Sequence, residues 1–326
     1  MKNIAPWSIL VLVLGLVAMG CDSTTEPLNN AESEIAALIE AEDSLFTVTG
    51  FEDSESDSLL FEGRHGPRRP GFGGPVLPWF VRREVQSVDR NVEVDVITTD
   101  SAVVTLSHEI TGNLYIGIDR DTTDTIRVDT VWVKPFDIAT THKIQVVQGR
   151  FPDGLRHRMG ARHNGWRIAG ITPIVTTTAN TDLSIDEMTF QDINTGEEMT
   201  VTDPLATFFT WETAPDFQIG DSVVVTVDVA NGDNSGTTVF GKIPTRNFAG
   251  NRMLRFFDDG VAPDAVADDG EYTASWTFAR MSGMRHIMIN VLDNDLLTLE
   301  EVPYNTTLWQ FPFMVGFRNR GPGGGM

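Results

Sequence analysis

The stretch FFDDGVAPDAVADDGEYTASW, Phe256 to Trp276, holds five aspartates, one glutamate and no basic residue. Its chemistry is that of a turn. Asp258 and Asp268 can accept backbone N–H bonds, and Gly260 and Gly270 can take positive φ. After it, Tyr272, Ala274, Trp276 and Phe278 alternate with Thr273, Ser275 and Thr277. That period of two is a half-buried strand. Before it, Arg252–Phe257 reads as another strand. The acidic stretch therefore joins two β-strands, and the body around it is a β structure.

Working outward, the alternation recurs. Val223, Val225, Val227 and Val229 form one set, Ile287, Ile289 and Val291 a second, and Trp309, Phe311, Phe313 and Val315 a third. Phe208–Trp211 and Thr237–Ile243 complete seven strands between residues 207 and 316, separated by groups such as Asn231-Gly-Asp-Asn-Ser-Gly236 and Asp293-Asn-Asp295. Seven short strands with one apolar face each suggest a two-sheet sandwich of immunoglobulin type. The cysteine pair of antibody domains is absent from the sequence.

The pattern Asp258-Asp-Gly260, a small-residue spacer and Asp269-Gly-Glu-Tyr272 resembles one found in Ig-like domains of bacterial surface and secreted proteins, the choice-of-anchor type. Ala267-Asp268-Asp269-Gly270 stands where that pattern has Gly-Asp-Gly. The resemblance implies an extracellular module and implies no reaction.

The same carboxylates are the candidate metal ligands. Calcium takes six to eight oxygens, and Asp258, Asp259, Asp264, Asp268, Asp269 and Glu271 could supply several. Crowded carboxylates repel one another unless a cation joins them. The spacing is not that of an EF-hand. Acid–base catalysis is disfavoured, because an exposed acidic loop lacks the burial that tunes a carboxylate.

The first half of the chain reads differently. Asn29 with Glu32 makes a capping-box pattern before a helix over residues 31–46, with Ile35, Leu38, Ile39, Leu45 and Phe46 on one face. From about residue 79 the period switches to two, through Val92–Val96, Ala102–Ile110, Ile126–Trp132, Lys143–Val147 and Gly165–Ile171. One helix followed by long antiparallel strands predicts an α+β layer, the helix covering a curved sheet. With Trp166-Arg-Ile-Ala-Gly-Ile-Thr-Pro173 near its end, the order loosely resembles the NTF2-like cone fold over roughly residues 30–175. That resemblance implies a concave pocket for a small ligand. The expected fold is mainly β: an α+β domain over 31–175, a connector over 176–206 with one or two short strands, and the Ig-like sandwich over 207–316.

The N-terminus carries Lys2, the apolar run Ile9–Ala18, and Met19-Gly20-Cys21. A basic start, a short apolar core and a small residue before the break mark a secretory signal. Cys21 is the only cysteine of 326 residues. The arrangement resembles a bacterial lipoprotein signal over residues 1–20, which implies acylation of Cys21 and leaves 21–30 as a tether. The resemblance further implies a place in the bacterial envelope, anchored to the membrane through that cysteine and facing the periplasm or the exterior. The net charge of −22 argues against nucleic acid and against broad adsorption to anionic lipid.

A basic island, Arg64, Arg68 and Arg69, lies in the Pro/Gly-rich stretch 63–78. The reading is a loop, or contact with anionic envelope polymers. Residues 317–326 read as a Gly-rich tail. The six histidines show no ligand spacing and are expected at the surface or in loops, although His108 falls on the apolar side of its strand. No P-loop, GxSxG or GxGxxG occurs. The expected work is non-enzymatic: binding, adhesion or scaffolding toward an envelope protein or polysaccharide. The alternatives are a small-ligand pocket in the N-terminal half, and a hydrolase.

Overall fold

The computed structural model describes residues 26–42, 58–60, 77–119, 130–149, 165–179, 181–210, 212–232, 236–244, 251–278 and 283–316. The protein is mainly β, with antiparallel sheets and two helices among these residues. No helix of the described residues is long and apolar enough to cross a membrane.

Helix α1, Glu26–Ala41, begins five residues earlier than the expected start at Ala31. Pro27 explains the shift: its fixed φ and missing N–H suit a first helical turn. Asn29 therefore lies inside the helix and not at its cap. Leu45 and Phe46 lie outside the described residues. Ile35, Leu38 and Ile39 are fully buried.

Three long strands follow: β2 (Leu77–Thr98), β3 (Ser101–Asp119) and β4 (Thr130–Gln148). At about 3.3 Å per residue they make a ribbon roughly 60 Å long. A short β1 (Ser58–Leu60) pairs with the start of β2. Burial in β4 alternates without a break from Trp132 to Val146, so even-numbered residues face inward. The helix packs on this ribbon. Ile35, Leu38 and Ile39 join Ala102, Val104 and Leu106 of β3, Ile144 and Val146 of β4, and Trp166 of β5 (Trp166–Ile171).

The expected connector differs from what is found. Residues 176–206 contain the rest of β6 (Ile174–Thr178), all of β7 (Leu183–Asp192) and β8 (Glu198–Val201). The Thr176-Thr-Thr run has the polarity of a loop. Its β-branched residues instead sit between β4 and β15 (Thr306–Gly316), where Thr178 Oγ1 bonds Asn305 Oδ1 at 3.1 Å. Through β6 the ribbon continues into the C-terminal strands as one sheet, ordered β1-β2-β3-β4-β6-β15-β14-β11-β12. Here β11 is Thr237–Pro244, β12 is Asn251–Arg255 and β14 is Gly283–Asp293.

A second sheet is ordered β13-β10-β7-β8, with β10 at Ser222–Asn231 and β13 at Glu271–Thr277. It packs on one face of β11, β14 and β15. Val223, Val225, Val227, Phe190 and Trp276 meet Ile287, Ile289, Phe311 and Phe313 in a common core. Phe311 is fully buried and meets Phe190 and Phe209 edge-on, at 5.2 and 6.2 Å between centroids. The short β9 (Asp216–Gln218) pairs parallel with the end of β15.

The opposite face of β11, β14 and β15 receives the ribbon. Ile110, Leu114, Trp132 and Phe136 pack with Phe240, Met288, Leu308 and Tyr304. Two polar latches reinforce this contact. Arg83 Nη2 donates to Tyr304 Oη at 2.9 Å. Lys134 Nζ donates to the carbonyls of Leu299 and Val302 at 2.6 Å each, just beyond helix α2 (Asn294–Thr298). Desolvation lowers the Lys134 pKa, against the pull of Glu300 and Asp293.

Candidate functional site

The acidic stretch folds into a compact turn between β12 and β13. Phe257 bridges Thr273, and Asp259 bridges Ala267, so the loop is a distorted hairpin. The Ala262–Pro263 peptide is cis. Asp258 accepts from the N–H of Asp269 at 3.3 Å and of Gly270 at 3.0 Å. Asp264, buried, accepts from Gly260 N–H at 2.5 Å. Asp259 accepts from Val261, and Asp269 from Glu271. Asp268 has φ 59° and Gly260 φ 65°, both left-handed, which aspartate and glycine tolerate best.

Of the six candidate ligands, the structure brings three together. Asp258, Asp264 and Asp269 each place a carboxylate oxygen within 4.8 Å of the others. Asp259, Asp268 and Glu271 lie outside that group. Three carboxylates are half of what calcium takes, and all three already receive backbone N–H bonds. The turn is their first work.

Asp258→Ala leaves two backbone donors without their acceptor and should lower stability by about 1–2 kcal/mol in urea titration. A loop held by its own backbone bonds should melt at the same temperature in chelator and in millimolar calcium. A chelator-reversible rise with calcium would instead assign the cluster to a cation.

The acidic surface is broader than the stretch itself. Asp228 on β10 lies opposite Glu187 of β7 on one side and Glu271 of β13 on the other. Like charges directly opposite on a sheet are destabilising. The Asp228 pKa is raised by desolvation and by Asp186, Glu187 and Asp269. That of Glu271 is raised by desolvation and by Asp269, Asp228, Glu187 and Asp264. A raised folded pKa means that the ionised form costs stability at neutral pH, and that the loss is recovered as pH falls through the raised value. Asp228→Asn with Glu271→Gln should therefore raise Tm at pH 7 and low salt by a degree or two, roughly, and the gain should fade near 0.5 M salt. No gain at low salt would contradict it. Only strand register reveals this row, since residues 187, 228 and 271 are far apart in sequence.

A second polar cluster lies inside the curled sheet, between the two apolar clusters of the ribbon. His108 of β3 faces Thr140 of β4, which faces Thr176 of β6. All three are buried, and His108 Nδ1 lies 3.2 Å from Thr140 Oγ1. His142, Asn290, Gln310 and Lys242 are buried on the same inner faces. This corrects the expectation of surface histidines: His108 and His142 are buried, and His286 is half-buried. Desolvation, then His108, His286 and Arg90, lowers the His142 pKa to about 3. Desolvation, then Arg285, lowers that of His286 to about 4. The signal present in the sequence was strand parity. His108 and His142 share the phase of Leu106 and Ile144 in their strands.

Cys21, Arg64, Arg68 and Arg69 lie outside the described residues, as do His65, His157 and His163, the tail 317–326 and the stretch 63–78 up to residue 76. Leu77 and Pro78 open β2. Comparison with known protein families, with characterised proteins and with solved structures finds no match for this chain.

Proposed function

We propose that the protein is an envelope lipoprotein, anchored through acylated Cys21, whose β body acts as a non-enzymatic binding or scaffold module with an Ig-like C-terminal unit. The observation carrying the Ig-like part is strand order. Sheet β7-β10-β13 faces sheet β15-β14-β11-β12, so successive strands β10 and β11, and β13 and β14, change sheets. This order supports the reading, because an Ig-like sandwich exchanges strands between an A-B-E and a G-F-C sheet in the same sequence. In this reading the acidic stretch is the turn entering the E strand. The ribbon, joined to the sandwich by β6 and held by Lys134 and Arg83, gives a stiff body of considerable reach above the membrane.

Mass spectrometry of the membrane fraction tests the anchor: the N-terminal peptide of the mature chain should begin at acylated Cys21. Cosedimentation of a Cys21→Ser chain with purified envelope polymer and with envelope protein tests the function. Saturable binding without turnover of the bound material supports it. An unprocessed chain in the cell interior, or turnover by the pure protein, overturns it.

The ligand-pocket reading has one observation in its favour: His108, Thr140, Thr176, Asn290 and Gln310 are polar residues buried on the inner faces of the sheet. A small polar ligand held there should raise Tm in the parent and not in Gln310→Leu.

A further inference from the structure

A seam of histidines divides the contact between the ribbon and the C-terminal strands. On β3, Leu106 belongs to the cluster under α1 and Ile110 to the cluster that joins the ribbon to β11, β14 and β15, and His108 stands between them. On β4, Ile144 and Ile138 hold the same places, with His142 and Thr140 between. On β14, Met284 and Met288 hold them, with His286 between. Alternate residues of a strand share a face, so three separate strands each turn a histidine into the gap between two apolar clusters.

The contacts on the two sides of the seam are unequal. On one side, Trp132, Phe136 and Leu114 of the ribbon pack on Phe240, Leu308 and Tyr304. That side also holds the Arg83–Tyr304 bond and the Lys134 bonds to the Leu299 and Val302 carbonyls. Strand β6 joins β4 over Ile138–Thr141, again on this latched side of His142. On the other side, Met284 is what the C-terminal strands contribute to the cluster under α1 among the described residues.

We propose that the seam is an acid-operated joint: when its histidines take up protons, the α1-bearing end of the ribbon lifts from β14, pivoting on the latched contact, while the sandwich core stays packed. His108 and His142 are 4% and 1% exposed, so the closed joint favours neutral rings. Desolvation, then His108, His286 and Arg90, lowers His142 to about 3, and desolvation, then Arg285, lowers His286 to about 4. Opening returns both to water and to the ordinary value. The open form therefore gains protons below pH 6.5, and its share grows by up to about tenfold per pH unit for each histidine. The other charged groups around the seam are placed as follows. Arg90 of β2 lies opposite His108, and Lys242 of β11 opposite Met288. Asp89, Glu93 and Asp95 of β2 pair with Glu109, Thr105 and Val103, on the outer face. On the neighbouring elements, β5 carries Arg167, and α1 carries Glu34 and Glu42 beside its apolar stripe.

Electron spin distance measurements on a Cys21→Ser chain test this. Labels at Asp95→Cys and Ser275→Cys span the α1-bearing end of the ribbon and the sandwich, and labels at Val133→Cys and Ser275→Cys span the latched end. All three positions are exposed. From pH 7 to pH 4 the first pair should gain a longer distance, its population rising at least about tenfold and falling again on return to pH 7. The second pair should keep its single distance. His142→Leu with His286→Leu should abolish the longer distance, and the milder His142→Gln should reduce it about tenfold at pH 4. No longer distance at pH 4, equal lengthening of both pairs, or a lengthening that survives the histidine variants would each overturn the joint.

Discussion

Gly112→Ala should lower the unfolding free energy by about 3 kcal/mol or more, one of the largest losses any single methyl group could cause here. Gly112 sits in the middle of β3, paired with Val85 beside the β2 bulge between Val85 and Ser87. A Cβ at this position would collide with the backbone carbonyl oxygen of Glu84 and lie 2.6 Å from Cζ of Phe136. The ring of Phe136 covers the glycine and is itself buried in the cluster joining the ribbon to the C-terminal strands. Neither obstacle yields cheaply, because one is sheet backbone and the other is packed on Tyr304 at 5.4 Å. A glycine in a strand interior beside a bulge commonly marks such a close approach. Urea titration of the alanine variant measures the loss. A midpoint within about 0.5 kcal/mol of the parent would mean that β2 and β3 do not approach as described.

The second large effect is in acid. His142 is buried, and its folded pKa of about 3 lies below the ordinary value of 6.5. A depressed histidine favours the neutral form. Its contribution to stability is complete above about pH 6.5 and is lost as pH falls toward 3, at roughly 1.4 kcal/mol per unit. His286, lowered to about 4, acts in the same direction over a narrower window. Both face a cationic neighbourhood, with His108, Arg90 and Arg285 contributing. Protonation would thus place like charges between the ribbon and β14. Stability of the parent should fall by several kcal/mol between pH 6.5 and 3, and His142→Leu should flatten that decline. His142→Gln, which keeps a polar group, should flatten it as well. Unfolding of both variants at the parent's acid midpoint would remove His142 as the cause.

The alternation in β4 from Trp132 to Val146 is plain in the sequence, and so is the inward phase of His108. The period-two signal needs only the apolar pattern of a half-buried strand. The strands of residues 223–315 were readable for the same reason. The turn at 256–276 was readable because aspartate and glycine carry their conformational preferences with them, and the bonds of Asp258 and Asp264 are local. The helix was readable by its apolar face, but its start was misplaced because Pro27 outweighed the Asn29 capping pattern.

Other features had no local signal. Thr176-Thr-Thr reads as a polar loop and becomes strand β6 because β4 and β15 flank it with open hydrogen-bonding edges. A connector on paper is thus the strand that fuses ribbon and C-terminal strands into one sheet. The repulsive row of Glu187, Asp228 and Glu271 exists only by virtue of cross-strand register. The necessity of Gly112 depends on Phe136 and on a bulge in another strand.

By itself, then, the sequence determined the β character, the two alternating halves, the acidic hairpin turn and the expectation of an envelope anchor, because period, turn chemistry and charge are properties of neighbouring residues. Tertiary structure alone decided which strands share a sheet, which histidines lose their water and which carboxylates face each other. Those outcomes are set by register and burial between segments far apart in the chain, and no local pattern encodes them.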